Sequence, residues 1–134
     1  MEERLYRGKC EDTGVWIYGY YCPCCFGYFP CSPAILDREE MERGCWRPEK
    51  VIPDTVGQYT GLTDKNGKRI FEGDIVTGLF LFFLPVNAVV TFQDGAFGLE
   101  WYRGGTKAFN AFTSICNVQY EVIGNIHDKP ELLN

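Results

Sequence analysis

Turn signals, more than any other feature, limit what this sequence can fold into. Asn66-Gly67, Glu72-Gly73-Asp74 and Asp94-Gly95 each place short polar side chains beside a glycine. The flanking segments, Ile70-Phe71, Ile75-Val76, Val89-Val90-Thr91-Phe92 and Phe97-Gly98-Leu99-Glu100-Trp101-Tyr102, are rich in β-branched and aromatic residues. Such residues suit a pleated, half-buried surface, and turns this close together join strands of about four to six residues. At Asn66-Gly67 both residues tolerate positive φ, which a two-residue hairpin loop needs if its twist is to match the strands it joins. From Val51 onward the chain is therefore expected to curl into a small β-barrel.

The first fifty residues read differently. Leu5 to Cys22 predicts a hairpin turning at Glu11-Asp12-Thr13-Gly14, with Val15-Trp16-Ile17-Tyr18-Gly19-Tyr20-Tyr21 as its second arm and Gly19 marking a bulge or a close backbone approach. Between Cys22 and Lys50 the strand pattern breaks down under four prolines and five of the seven cysteines. There Ser32, Pro33 and Gly44 fit the cap, first position and post-terminal position of a short helix. The expected organisation is one compact unit: residues 1–50 as hairpin and Cys-rich insert, packed on a barrel over residues 51–134.

Charge and composition narrow the function classes. Thirteen basic residues against eighteen acidic ones give a net charge of -5, without the positive excess that sequence-independent nucleic-acid binders use to displace counterions. Nucleic acid is therefore not the expected partner. The opening residues carry four charges within the first seven and no apolar run follows, unlike a secretory signal peptide, so the expected compartment is the cytoplasm. Ile75 to Gln93 contains nineteen uncharged residues, close to the length that spans a bilayer, yet Gly78, Pro85 and Asn87 interrupt it and its β-branched and aromatic content predicts two strands and a connection.

Three blocks carry a family likeness. The run from Ile52 to Val76, Ile-Pro-Asp-Thr-Val-Gly-Gln-Tyr-Thr-Gly-Leu-Thr-Asp-Lys-Asn-Gly-Lys-Arg-Ile-Phe-Glu-Gly-Asp-Ile-Val, resembles the signature block of YopX-like phage and prophage proteins. Glu121-Val122-Ile123-Gly124-Asn125-Ile126-His127-Asp128-Lys129-Pro130-Glu131-Leu132-Leu133 is similar to that family's closing motif, and Trp16-Ile17-Tyr18-Gly19-Tyr20-Tyr21 to its N-terminal aromatic strand. The resemblance implies an SH3-like small β-barrel in the second half, a phage or prophage origin and a cytoplasmic setting. It brings no catalytic residues, because the family has no established biochemical function. The sequence departs from the family pattern at Cys22-Pro23-Cys24-Cys25 and at Leu79 to Leu84.

Candidate sites are few. Cys22, Cys25, Cys31 and Cys45 have a spacing that could close a tetrahedral, structural zinc site, against the alternative of buried or idle thiols; no other cofactor is expected. Leu79, Phe80, Leu81, Phe82, Phe83 and Leu84 form the greasiest run, and a solvent-facing side of it would serve a protein partner or a homo-oligomer, against the alternative of a loop or strand tucked wholly under the Cys-rich segment. Asp54, Asp64, Glu72, Asp74 and Glu121 could be assembled into a metal or acid-base site, but Asp64 and Asp74 flank turns, where Asp serves backbone hydrogen bonding. His127 with Cys116 makes a weak nucleophile pair. Trp16, Tyr20, Tyr21, Trp101 and Tyr102 could stack on bases or line a groove, although the core is the usual place for such residues and Arg103 is the one basic residue between Leu79 and Gly105. The expectation is a non-enzymatic accessory protein that associates with proteins, including itself; the alternative is a nucleic-acid-binding SH3-like barrel.

Overall fold

The structure, a computed structural model, describes residues 5–22, 33–44, 47–79, 85–103, 105–111 and 120–133. The chain is mainly β and divides into two units, Met1–Tyr59 and Thr60–Asn134.

In the first unit, strands β1 (Tyr6–Lys9), β2 (Trp16–Cys22), β3 (Ala34–Asp37), β4 (Pro48–Lys50) and β5 (Gly57–Thr63, which runs on into the second unit) are hydrogen-bonded in the order β4-β3-β2-β1-β5. The predicted hairpin is β1–β2, antiparallel, with Lys9 opposite Trp16 and Arg7 opposite Tyr18. Its connection is closed by the Cys10 N–H donating to the Val15 carbonyl at 2.8 Å and the Gly14 N–H donating to the Cys10 carbonyl at 2.9 Å. Alternation along β2 sends Ile17 inward to join Cys10, Ile35 and Val51, with Tyr6, Tyr21 and Val56 packed around them. Gly19 is the close approach that its sequence context suggested: a Cβ built there would lie 1.8 Å from the Leu36 carbonyl oxygen.

The helix of this unit does not start at Pro33, and Ser32 lies outside the described residues. Ala34 and Ile35, both fully buried, are drawn into the sheet opposite Cys22 and Tyr21, and burial there overrides the local capping signal. The helix, α1, spans Arg38–Glu42 instead. Its N-cap is Asp37, whose Oδ1 accepts from the Glu39 and Glu40 N–H groups at 2.9 and 3.2 Å, and Gly44, with φ of 89°, follows its end as predicted.

In the second unit, β5 neighbours β6 (Arg69–Phe71), while β7 (Asp74–Leu79), β8 (Pro85–Gln93), β9 (Ala96–Arg103), β10 (Thr106–Ala111) and β11 (Tyr120–Asn125) form an antiparallel sheet ordered β10-β9-β8-β7-β11. Among the described residues this sheet does not close into a barrel: β10 and β11 are its two edges. Ile70, Val76, Ala88, Val90, Leu99, Trp101 and Val122 make the core, with Ala108 and Tyr120 against it. The uncharged stretch Ile75 to Gln93 lies in β7, β8 and their connection, and no helix of the described residues is long and apolar enough to cross a membrane.

The turns sort themselves by side-chain chemistry. It is Asp94-Gly95, between the paired Gln93 and Ala96, in which both residues take positive φ, 51° and 81°, as a two-residue hairpin loop requires. At Asn66-Gly67 only Gly67 does, with φ of 81°. There a longer loop is organised by Asp64, whose carbonyl accepts from the Gly67 N–H at 3.0 Å and whose N–H donates to the Lys68 carbonyl at 2.8 Å.

Candidate functional site

Among the sequence-predicted ligands, Cys22 ends β2 as a half-buried free thiol, whereas Cys25, Cys31 and Cys45 lie outside the described residues. The described residues contain no group of three or more His, Cys, Asp or Glu side chains able to hold a metal ion. Of the apolar run, Leu79 ends β7 in its backbone, and Phe80, Leu81, Phe82, Phe83 and Leu84 lie outside the described residues. His127 is half-buried in the turn after β11, where its N–H donates to Asn125 Oδ1 at 3.0 Å; Cys116 is outside the described residues.

The carboxylates do structural work. Asp64 is buried; its Oδ1 accepts from the Asn66 and Lys68 N–H groups, both at 2.9 Å, and its Oδ2 from the Val122 N–H at 3.0 Å, tying the loop to β11. Desolvation by itself would raise the Asp64 pKa, but the backbone donors Val122, Lys68 and Asn66, with the Lys68 charge, outweigh it and hold the carboxyl below its ordinary 3.8. Asp74 Oδ2 accepts from the Phe71 N–H at 2.8 Å across the Glu72-Gly73 turn. Glu121 meets Asn66 Nδ2 at 3.1 Å and Lys65 Nζ at 3.9 Å. The turn reading of Asp64 and Asp74 therefore holds. A further buried acid, Glu100, accepts from Gln93 Nε2 at 2.7 Å and Lys107 Nζ at 2.8 Å, and its hydrogen bond and charge raise the Lys107 pKa. Burial, then the Asp64 charge, raises that of Tyr120.

The aromatics divide by strand alternation. Trp101 belongs to the core and Tyr21 packs on Tyr6 with ring centres 5.2 Å apart. Tyr102 and Tyr20 face solvent, and so does Tyr18; Tyr18 is 42% and Tyr20 49% exposed. Residues directly opposite each other in a sheet share a face. Lys9 opposes Trp16, Arg7 opposes Tyr18, Leu36 opposes Tyr20, Ala34 opposes Cys22, Pro48 opposes Leu36 and Lys50 opposes Ala34. One face of the first unit's sheet thus presents Trp16, Tyr18 and Tyr20 along β2, with Arg7 and Lys9 beside them and Lys50 further along. The acidic strand residues Asp37 and Glu49 stand opposite Gly19 and Ile35 and so belong to the other face.

Two of those cations hold the row's first ring. The Arg7 guanidinium carbon is 4.7 Å, and Lys9 Nζ 5.8 Å, from the centre of the Trp16 ring, within the range of cation–π attraction. Arg7 is itself buried, so it fixes the indole and contributes positive field. Sequence reasoning singled out Trp16 and Tyr20 but missed Tyr18, Arg7 and Lys9. The signal was the hairpin's register: once Lys9 is set against Trp16, the cations and rings fall on one side.

The family model described as YopX protein matches residues 30–134. The chain belongs to the YopX family. No curated protein matches this YopX-family chain. Among solved structures, the crystal structure of protein EF1440 from Enterococcus faecalis is similar over 100% of both chains, with a TM-score of 0.59 and 23% sequence identity. At that identity the likeness speaks for the fold alone. The aromatic face on β1 and β2 precedes the matched span, so the family match does not itself describe that face.

Proposed function

We propose that this YopX-family chain is a non-catalytic binding module, a phage- or prophage-encoded accessory protein working in the host cytoplasm, whose recognition surface is the Trp16–Tyr18–Tyr20 face of β2. The observation that carries this reading is the outward placement of Tyr18 and Tyr20 in a row anchored by Trp16; exposed aromatics arranged together are characteristic of surfaces that bind. The second unit we read as SH3-like, on the grounds that its final strand, β11, returns to pair with β7, the first strand of its meander. The run Leu79 to Leu84 remains the proposed self-association segment, and light scattering on the eluting protein would find a monomer if that proposal fails.

The main reading is tested by capture from host lysate with the intact chain and its Tyr20→Asp variant as baits. Tyr20 is exposed, so a charge there leaves the core untouched. The expected outcome is a set of bound molecules held by the parent and lost by the variant; identical sets on both baits would overturn the proposal.

A further inference from the structure

Resting on the reading of β2 as a recognition face, we infer that its ligand is a short single-stranded segment of nucleic acid, whose bases stack on Tyr18 and Tyr20. The overall charge of -5 argues against broad attraction to polyanions, but at physiological salt the field that matters is the one within about 8 Å. Within the strands of this face the charged residues are Arg7, Lys9 and Lys50, all positive, because alternation turns Asp37 and Glu49 to the other side. Of these, Lys50 has the Glu11 carboxylate 3.5 Å away. Lys9, half-buried and 5.8 Å from the Trp16 ring centre, is the cation placed next to the aromatic row.

The spacing of that row favours bases over an acidic peptide. Alternate residues of a strand stand about 6.7 Å apart, a separation that successive nucleotides of an extended single strand can match, and every base offers a flat face while a run of Asp or Glu offers none. Sheets that present exposed aromatics to two or three unstacked bases are an established solution to single-strand recognition. The two tyrosines supply the stacking surface, Trp16 and its cations the flank, and Lys9 the phosphate contact. Recognition of this kind is tolerant of base identity, since it uses rings and charge rather than base edges.

Fluorescence anisotropy of a labelled oligothymidylate of about ten nucleotides, titrated with the full chain, tests this. Binding at about 50 mM salt that weakens steeply by about 200 mM is expected. Tyr18→Ala and Tyr20→Ala should each raise Kd about tenfold, while Tyr18→Phe and Tyr20→Phe keep it near the parent value, since phenylalanine preserves the stacking face. Lys9→Gln should flatten the salt dependence. Unchanged circular dichroism in all variants shows that the fold is intact. Absence of an anisotropy change at low salt, or binding indifferent to both alanine variants, would overturn the inference. Oligoglutamate binding with the same tyrosine dependence, and no oligonucleotide binding, would overturn it while leaving the broader reading of the face in place; identical captured sets on the two baits above would remove that broader reading too.

Discussion

Gly19→Ala is expected to unfold the first unit or to destabilise it by at least about 3 kcal/mol, the upper end of what overpacking costs. The reason is space rather than backbone conformation, because Gly19 is not among the glycines with positive φ. Its missing Cβ leaves room for the Leu36 carbonyl oxygen, 1.8 Å from where that carbon would stand, with the Arg38 N at 3.0 Å. Both obstacles are backbone, so no side chain can swing aside. Relief would require pulling β3 off β2 at the pair Gly19–Asp37 and disturbing the Asp37 cap of α1. Gly14→Ala provides the contrast: φ there is 72° with nothing within 4 Å, and the expected cost is about 1 to 2 kcal/mol of left-handed backbone strain. Urea unfolding followed by tryptophan fluorescence distinguishes the two, and a Gly19→Ala chain as stable as Gly14→Ala would contradict the packing of β2 against β3.

Asp64→Ala is expected to cost about 3 kcal/mol in the second unit, because removal of one carboxylate strips the partner from three backbone N–H groups and leaving a buried donor unsatisfied costs about 1 to 3 kcal/mol. The Val122 N–H is the most exposed to this loss, since its hydrogen bond to Asp64 is buried and spans 58 positions of sequence. Asp64→Asn should be intermediate, retaining one acceptor oxygen but turning an NH2 toward a donor. The pH dependence follows from the sign of the shift. The folded-state pKa lies below the ordinary 3.8, so the Asp64 contribution is complete above that value and is lost as pH falls below it toward the depressed pKa. Parent stability, measured by thermal unfolding, should therefore fall more steeply than that of Asp64→Asn below pH 3.8. Parallel curves would contradict the three-donor arrangement.

Much of this fold was legible because the signals were local. The β-forming residues from Val15 to Tyr21 pointed to a strand with a bulge or close approach at Gly19; glycines marked the turns; the Asp64 and Asp74 positions beside turns pointed to backbone service. Local signals misled where burial competed with them. Ser32-Pro33 reads as a helix start, yet Ala34 and Ile35 gain more from complete burial in β3, and the cap passes to Asp37. Asn66-Gly67 has the composition of a two-residue loop, but the Asp64 carboxylate gathers the amides of Asn66 and Lys68 and fixes a longer one. The candidate face was the least visible part, because it exists only through register. Arg7 and Lys9 precede the hairpin turn and Trp16 and Tyr18 follow it, so nothing in their spacing along the chain places guanidinium over indole until the Cys10–Val15 closure is known. Cys25, Cys31 and Cys45, and Phe80 to Leu84, lie outside the described residues.

The central claim is that the aromatic row on β2 is the working surface of this chain and takes single-stranded nucleic acid. It is tested most directly by NMR of the isotope-labelled full chain during titration with oligothymidylate. Resonances of Lys9, Trp16, Tyr18, Tyr20 and Leu36 should shift together and saturate with one affinity, while those of the Val76–Leu99 core stay in place. Shifts confined to residues 60–133, or none at all, would contradict it.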